Sequence, residues 1–220
     1  MKRALIVLLI VLLVGVMVGA GYFGFKKYEE QKIIKSVVPD VKNTSIRVKN
    51  ILTYETESGS KITYKELIEK LEAYISEIDK KILETETAST SSTKEKINVI
   101  LSYLKGCQEL LRAQLAKNRN ELVVTSSLQW ADKAVDLYKG AGYYENDYAR
   151  KTADEAIKDM NKAFSEYYEA RTELSATSRK LSELLPKVAA VVPQENLIDK
   201  STLEIVAKKN EEKPKEFFSH

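Results

Sequence analysis

The sequence predicts an all-α protein in which an N-terminal transmembrane helix precedes an elongated antiparallel helical bundle built around a coiled-coil hairpin. Three observations predict this class. Residues 4–25 carry no charged side chain. The chain has few Gly and Pro and is rich in Lys, Glu, Leu and Ala. Two long segments repeat apolar residues with alternating spacings of four and three.

The apolar run at residues 4–25 is long enough to cross a bilayer. A helix rises ~1.5 Å per residue, so this run covers the ~30 Å hydrocarbon core. The alternative is a cleavable signal peptide, because Val18-Gly19-Ala20 resembles a small-residue cleavage site. A signal peptide usually has an apolar region of only ~7–15 residues. We therefore predict an uncleaved membrane anchor over residues 1–27.

Charges around the anchor indicate its orientation. Lys2 and Arg3 precede the run and favour a cytoplasmic N-terminus, whereas Lys26 and Lys27 follow it and oppose that orientation. Because a short charged tail is hard to translocate, we expect the N-terminus in the cytoplasm and the body in the periplasm or outside the cell.

Gly15 and Gly19 form a GxxxG pair within the predicted anchor. This spacing lets two membrane helices approach closely, so the pair is a candidate membrane-helix contact. Glycine is also common in membrane helices in general, which is the plainer interpretation. A homo-oligomer is thus possible but not strongly indicated.

Composition excludes several classes of function. Acidic and basic residues balance along the chain, and the formal net charge of +3 comes mainly from Lys2 and Arg3. Nucleic-acid binding would need a basic stripe, so we expect no nucleic-acid partner. The only histidine is His220, and the only cysteine is Cys107. Without a catalytic, phosphate-binding or metal motif, we predict neither an enzyme nor a cofactor or metal site.

Residues 28–62 are predicted to form a juxtamembrane helical segment and a turn. Pro39 is expected to end or kink the first helix. Residues 41–57 fit both the alternation of a strand and the period of a helix. We favour the helix because no partner strand is visible, and Ser58-Gly59-Ser60 then marks the turn.

Residues 63–185 are predicted to form the bundle. A capping box at Thr63 opens a helix that ends near Glu84, and a Ser/Thr-rich loop follows. Two long helices are predicted at about 94–139 and 145–185. A glycine turn centred on Ala141-Gly142 separates them, and Pro186 ends the second helix. They should fold back as an antiparallel hairpin. Residues 186–220 are predicted to hold a short helix from Ser201 and a charged tail.

Three polar residues lie on the apolar stripes of the hairpin: Gln108, Asn118 and Arg171. A buried polar seam residue usually fixes helix register, although long side chains at an edge can instead extend to water. If facing residue numbers sum to about 283, Cys107 faces the neighbourhood of Ala176 and Arg171 turns toward Gln108 or Glu109.

Aromatic residues cluster around the glycine turn, with Trp130 a few turns below it. One interpretation is a partner-docking surface, because tyrosine offers contact area together with a polar group. We favour the plainer interpretation, in which the rings pack on one another around the glycine turn. The candidate docking residues are Trp130, Tyr138, Tyr143, Tyr144 and Tyr148.

Taken together, these features predict a single-pass membrane protein that serves as an envelope scaffold or adaptor for another protein. The alternative is a sensory or ligand-binding bundle that works with a separate membrane partner. A cavity between the helices would favour the alternative, and a solid seam with an apolar outer patch would favour the adaptor.

Overall fold

The computed structural model describes residues 2–54, 64–142 and 146–211, with side chains described for residues 24–54, 65–142 and 146–211. These residues form five α-helices: α1 (Lys2–Thr53), α2 (Tyr64–Thr87), α3 (Lys94–Gly140), α4 (Asn146–Ala189) and α5 (Lys200–Glu211). A 3₁₀ turn (Gln194–Asn196) lies before α5. The described residues contain no strand. The prediction of an all-helical bundle is confirmed.

The first half of α3 is the centre of the bundle. Helices α1, α2 and α4 all pack against α3, and α5 packs on α4. The main core holds residues of every α-helix, and its largest fully buried side chains include Tyr103, Leu111, Leu174, Leu181 and Leu203. Helix α3 is therefore covered on several sides near its start, as its apolar positions require.

Beyond the bundle, α3 and α4 continue as a two-helix arm, residues 122–140 and 146–165. The arm has its own small core, which contains buried residues of these two helices alone: Ala131, Ala134, Ala153, Ala156 and Met160. Small side chains let the helices pack closely. They also bury little apolar area, and the partly buried Leu128, Val135 and Phe164 add to it by packing against this small core.

Helix α1 continues through Pro39, so the expected helix end is wrong, and the kink stays a prediction. A proline lacks one backbone N–H, but tertiary packing on both sides of it holds the helix together. The buried positions of α1 follow a 4-3 repeat through Val37, Val41, Thr44, Val48 and Ile51. The prediction of a helix is thus correct for residues 41–53. The predicted turn at 58–60 lies outside the described residues.

The other helices end later than the sequence predicts. Helix α2 runs to Thr87 instead of Glu84, and α4 passes Pro186 to end at Ala189. Pro186 is exposed, whereas Leu185 and Val188 on either side are buried in the main core. Their burial outweighs the lost hydrogen bond of the proline.

The hairpin is antiparallel, with a register about one turn from the predicted one. Asn120 Nδ2 donates to the Glu166 carbonyl at 3.1 Å, and a Cβ added to Gly106 would lie 2.9 Å from Leu181 Cδ1. The numbers of two residues that face each other across the hairpin therefore sum to 286–287 instead of 283. Ala176 is exposed, so its expected position facing the buried Cys107 is wrong. Helix α4 is described from Asn146 onward.

Within the part of the chain whose side chains are described, no helix is both long and apolar enough to cross a membrane. The predicted anchor falls almost wholly on residues 2–23, which α1 includes but whose side chains are outside the description. The candidate contact residues Gly15 and Gly19 lie in that same part of α1.

A buried tyrosine hydroxyl connects three parts of the bundle. Tyr103 of α3 is fully buried, and its hydroxyl lies 2.8 Å from Ser45 Oγ of α1. The backbone N–H of Ile198, just before α5, donates to the same hydroxyl at 3.1 Å. Burial raises the pKa of Tyr103 well above its usual value, so the hydroxyl remains protonated.

Replacement of this hydroxyl should destabilise the protein measurably. We expect Tyr103→Phe to lower the free energy of unfolding by about 1–3 kcal/mol, because the buried N–H of Ile198 loses its acceptor. Urea unfolding of the full chain measures this change. The matched control is Tyr168→Phe, in the exposed surface of α4, with an effect within about 0.5 kcal/mol. Equal midpoints for both variants would contradict the assigned role of Tyr103.

Candidate functional site

The arm places the predicted docking residues on its surface. Trp130 is 46% exposed, and Tyr138 and Tyr148 are also exposed. Tyr143 and Tyr144 lie outside the described residues. Seven large apolar side chains of the described arm are exposed: Leu122, Val123, Trp130, Leu137, Tyr138, Tyr148 and Ile157. An apolar surface of this kind is typical of an interaction site.

One heptad position of α3 changes from polar to apolar where the bundle gives way to the arm. Along the outer side of the helix it reads Glu95, Ser102, Glu109, Ala116, Val123, Trp130 and Leu137. We call Val123, Trp130 and Leu137 the arm stripe. All three are exposed and recur every seven residues, so they lie on one side of the helix over ~21 Å.

Helix α4 contributes charged residues beside the arm stripe. Its matching heptad position holds Tyr148, Glu155 and Lys162, and the neighbouring position holds Asp159 and Glu166. All five are exposed. Lys162 pairs with Glu166 at 3.9 Å. Glu155 and Asp159 give the rest of this edge an acidic character, which favours a partner with basic residues.

A groove of about 890 Å³ lies on the opposite side of the hairpin, where the bundle becomes the arm. The end of α1, the middle of α3 and α4, and α5 all contribute to it. The lining residues that matter chemically are Tyr54, Lys117, Glu121, Phe164, Tyr167 and Arg171. The sequence alone does not reveal this site, because its residues come from four separate helices.

Lys117 is the most enclosed cation of the groove. Its side chain is 13% exposed, and its ammonium group donates to Glu121 Oε2 at 2.7 Å and to Tyr54 Oη at 3.3 Å. It also lies 5.9 Å from the centroid of the Tyr167 ring. Burial alone would lower the pKa of Lys117, but Tyr54, Glu121 and Tyr167 together raise it. Lys117 therefore carries its positive charge throughout the neutral range.

Tyr54 adopts an unusual backbone conformation at the end of α1, with φ of 58°. This left-handed region is rare for residues other than glycine and costs of order 1–3 kcal/mol. Its hydroxyl also accepts from Gln114 Nε2 at 3.0 Å. The hydrogen bonds from Lys117 and Gln114 hold the Tyr54 ring at the groove wall against this backbone strain.

Arg171 lies in the groove and away from the predicted partners Gln108 and Glu109. It donates to the Lys209 carbonyl at 2.7 Å and lies 5.8 Å from the Tyr167 ring centroid. The expected contact with Gln108 or Glu109 is therefore wrong. Arg171 lies on the α5 side of α4, so it joins those two helices.

The other two seam residues make contacts of different kinds. Gln108 Nε2 donates to Asp79 Oδ1 at 2.5 Å, which links α3 to α2 and not to α4. Asn118 is fully buried, and its Oδ1 accepts from Gln114 Nε2 at 2.9 Å. Whether these residues determine helix register remains a prediction.

Cys107 lies in the main core, apart from both surfaces. It is fully buried, and this burial raises the pKa of its thiol to about 12. The thiol is therefore protonated at pH 8. The thiolate is the reactive form, so this cysteine is chemically inert in the folded protein.

Modification of Cys107 should require unfolding. In native protein at pH 8, Ellman's reagent should leave Cys107 unmodified over hours, and in 8 M urea it should react with one thiol per chain. Ser102→Cys is the matched control, because residue 102 is exposed on the same helix. That variant should show one fast and one slow thiol. Reaction of the native chain within minutes would contradict the burial.

Among the described residues, no group of histidine, cysteine or acidic side chains could hold a metal ion. No protein-family model matches the chain, and neither a curated protein nor a solved structure shows significant similarity to it. Arguments about function therefore depend on the arm stripe and the groove.

Proposed function

We propose that this chain is a membrane-anchored, non-enzymatic adaptor or scaffold of the cell envelope, and that another protein docks on its arm. The observation that supports this proposal is the arm stripe. Val123, Trp130 and Leu137 are exposed at heptad spacing, although the same heptad position is polar beside the bundle. Apolar residues placed in this way are typical of a helix-docking surface.

The docked segment is proposed to be an amphipathic helix of the partner. A straight stripe over ~21 Å matches one face of a helix of about four turns. The partner helix would add a third helix to the two of the arm. Glu155 and Asp159 favour basic residues along its edge, because opposite charges at an interface rim improve specificity.

The second candidate function is a ligand-binding or sensory bundle, and the groove supports it. The groove has a volume of about 890 Å³, within the range of small-molecule sites. Both functions are compatible with one chain, because the groove and the arm stripe lie on different sides of the hairpin.

Membrane anchoring is proposed from the charge-free run at residues 4–25 and from the length of α1. Helix α1 extends from Lys2 to Thr53, so one helix would connect the anchor to the bundle core. Lys2 and Arg3 support a cytoplasmic N-terminus, with the body in the periplasm or outside the cell.

Thiol labelling of cells before and after lysis tests this topology. Ser201 is exposed on α5, and the native Cys107 is buried and unreactive. In cells with a permeabilised outer layer, Ser201→Cys should react with a membrane-impermeant maleimide before lysis. The unsubstituted chain is the background control. Labelling only after lysis would indicate the opposite orientation, with the body in the cytoplasm. Recovery of the chain in the soluble fraction would contradict anchoring.

Photocrosslinking tests the docking surface. With benzoylphenylalanine at position 130, the full chain in native membranes should form an adduct with another polypeptide. Position 109 is the matched control, since it shares the heptad position and helix of Trp130 but lies beside the bundle. We expect no adduct at 109. Leu137→Glu should reduce the adduct at 130 at least about tenfold, because a buried unpaired charge is costly.

The identity of the crosslinked peptide decides between the possible outcomes. A peptide from an amphipathic helix with basic flanks supports the adaptor. A peptide from a second copy of this chain would contradict the adaptor in favour of self-association. An absence of adducts at 123, 130 and 137 would contradict docking on the arm stripe altogether.

A further inference from the structure

We infer that the groove between α1, α3, α4 and α5 binds an amphipathic organic anion, an aromatic carboxylate with an apolar body. This inference rests on the second candidate function, for which it names the class of ligand, and it is independent of partner docking because it uses another side of the hairpin. It depends on three properties of the groove: an apolar wall, an excess of positive charge, and a volume suited to a small molecule.

The apolar wall is formed by side chains from all four helices. Phe164 is half-buried and Ile205 is exposed in it, and Val124 and Leu128 lie at its floor on α3. The rings of Tyr54 and Tyr167 stand beside them. Aromatic rings offer flat contact area at little entropic cost, so they suit a planar ligand.

Positive charges outnumber negative charges among the described lining residues. Lys117, Arg171 and Lys209 are cationic there, and Glu121 is acidic. An ammonium group has three donors, and the hydrogen bonds of Lys117 to Glu121 and Tyr54 use two. The third can donate to a carboxylate, and such charge-assisted bonds are about twice as strong as neutral ones.

The protonation of Lys117 also bears on the chemistry. Its raised pKa keeps the amine protonated, so it acts as a cationic anchor and not as a nucleophile. A cationic ligand would meet three positive side chains within one groove. The site therefore suits binding of an anion without any reaction of the protein.

Calorimetric titration of the full chain in nanodiscs with 2-naphthoate tests the inference. We expect saturable binding at one site per chain. 2-Naphthylmethylammonium has a similar ring with the opposite charge, and it should bind at least about tenfold more weakly. Acetate has the carboxylate without the ring, and it should show no saturable binding.

Two variants locate the site. Lys117→Met keeps the side-chain length and removes the charge, and it should weaken naphthoate binding about tenfold through the lost charge-assisted bond. Lys105→Met is the matched control. Lys105, like Lys117, pairs with a glutamate, Glu86, but it is exposed and lies outside the groove. Ile205→Glu adds a negative charge at an exposed groove position, and it should weaken binding without unfolding the chain.

Several results would overturn the inference. These are equal affinity for the two naphthalene probes, absence of saturable naphthoate binding up to millimolar concentration, and unchanged binding in both Lys117→Met and Ile205→Glu. Removal of residues 212–220 provides a fourth test. If it raises the affinity more than tenfold, the occupant of the groove is the chain's own tail and not an external anion.

Discussion

The Tyr103 hydroxyl imposes the strictest constraint on this fold. It lies in the main core, where a polar group without a partner would cost several kcal/mol. Its partners are Ser45 of α1 and the backbone N–H of Ile198. Both are far away in sequence, so the hydroxyl is satisfied only when α1 and the segment before α5 have reached α3. The packing of three separate parts of the chain is thereby coupled through one side chain.

Fewer helices pack around α3 on the arm than in the bundle, and this change explains the arm stripe and the groove. Near its start, α3 is covered by neighbouring helices, and its outer heptad position can be polar. On the arm the core consists mainly of alanine, which buries little area. The arm stripe consequently adds apolar surface that none of the described helices covers. Exposure of such residues has a cost in solubility, which the proposed docking of a partner would offset.

The groove forms at the same transition. Helix α1 ends at Thr53 and α5 at Glu211, so both helix ends lie against the middle of the hairpin. Tyr54 takes a left-handed backbone conformation there, a local strain that the surrounding contacts must hold. If α1 also spans the membrane, a single helix connects the bilayer to the wall of the groove.

The sequence by itself determined the helical class and the two long helices of the hairpin. These follow from local periodicity, which a chain of any tertiary arrangement must satisfy. Only the tertiary structure decided the continuation of α1 through Pro39 and of α4 through Pro186, because distant packing outweighs a local hydrogen bond. The same holds for the partners of Gln108 and Arg171 and for the hairpin register, since heptad spacing defines a stripe but not the helix that covers it. The groove was beyond sequence reasoning for this reason: Tyr54, Lys117, Tyr167 and Lys209 share no motif and meet only when four helices pack together.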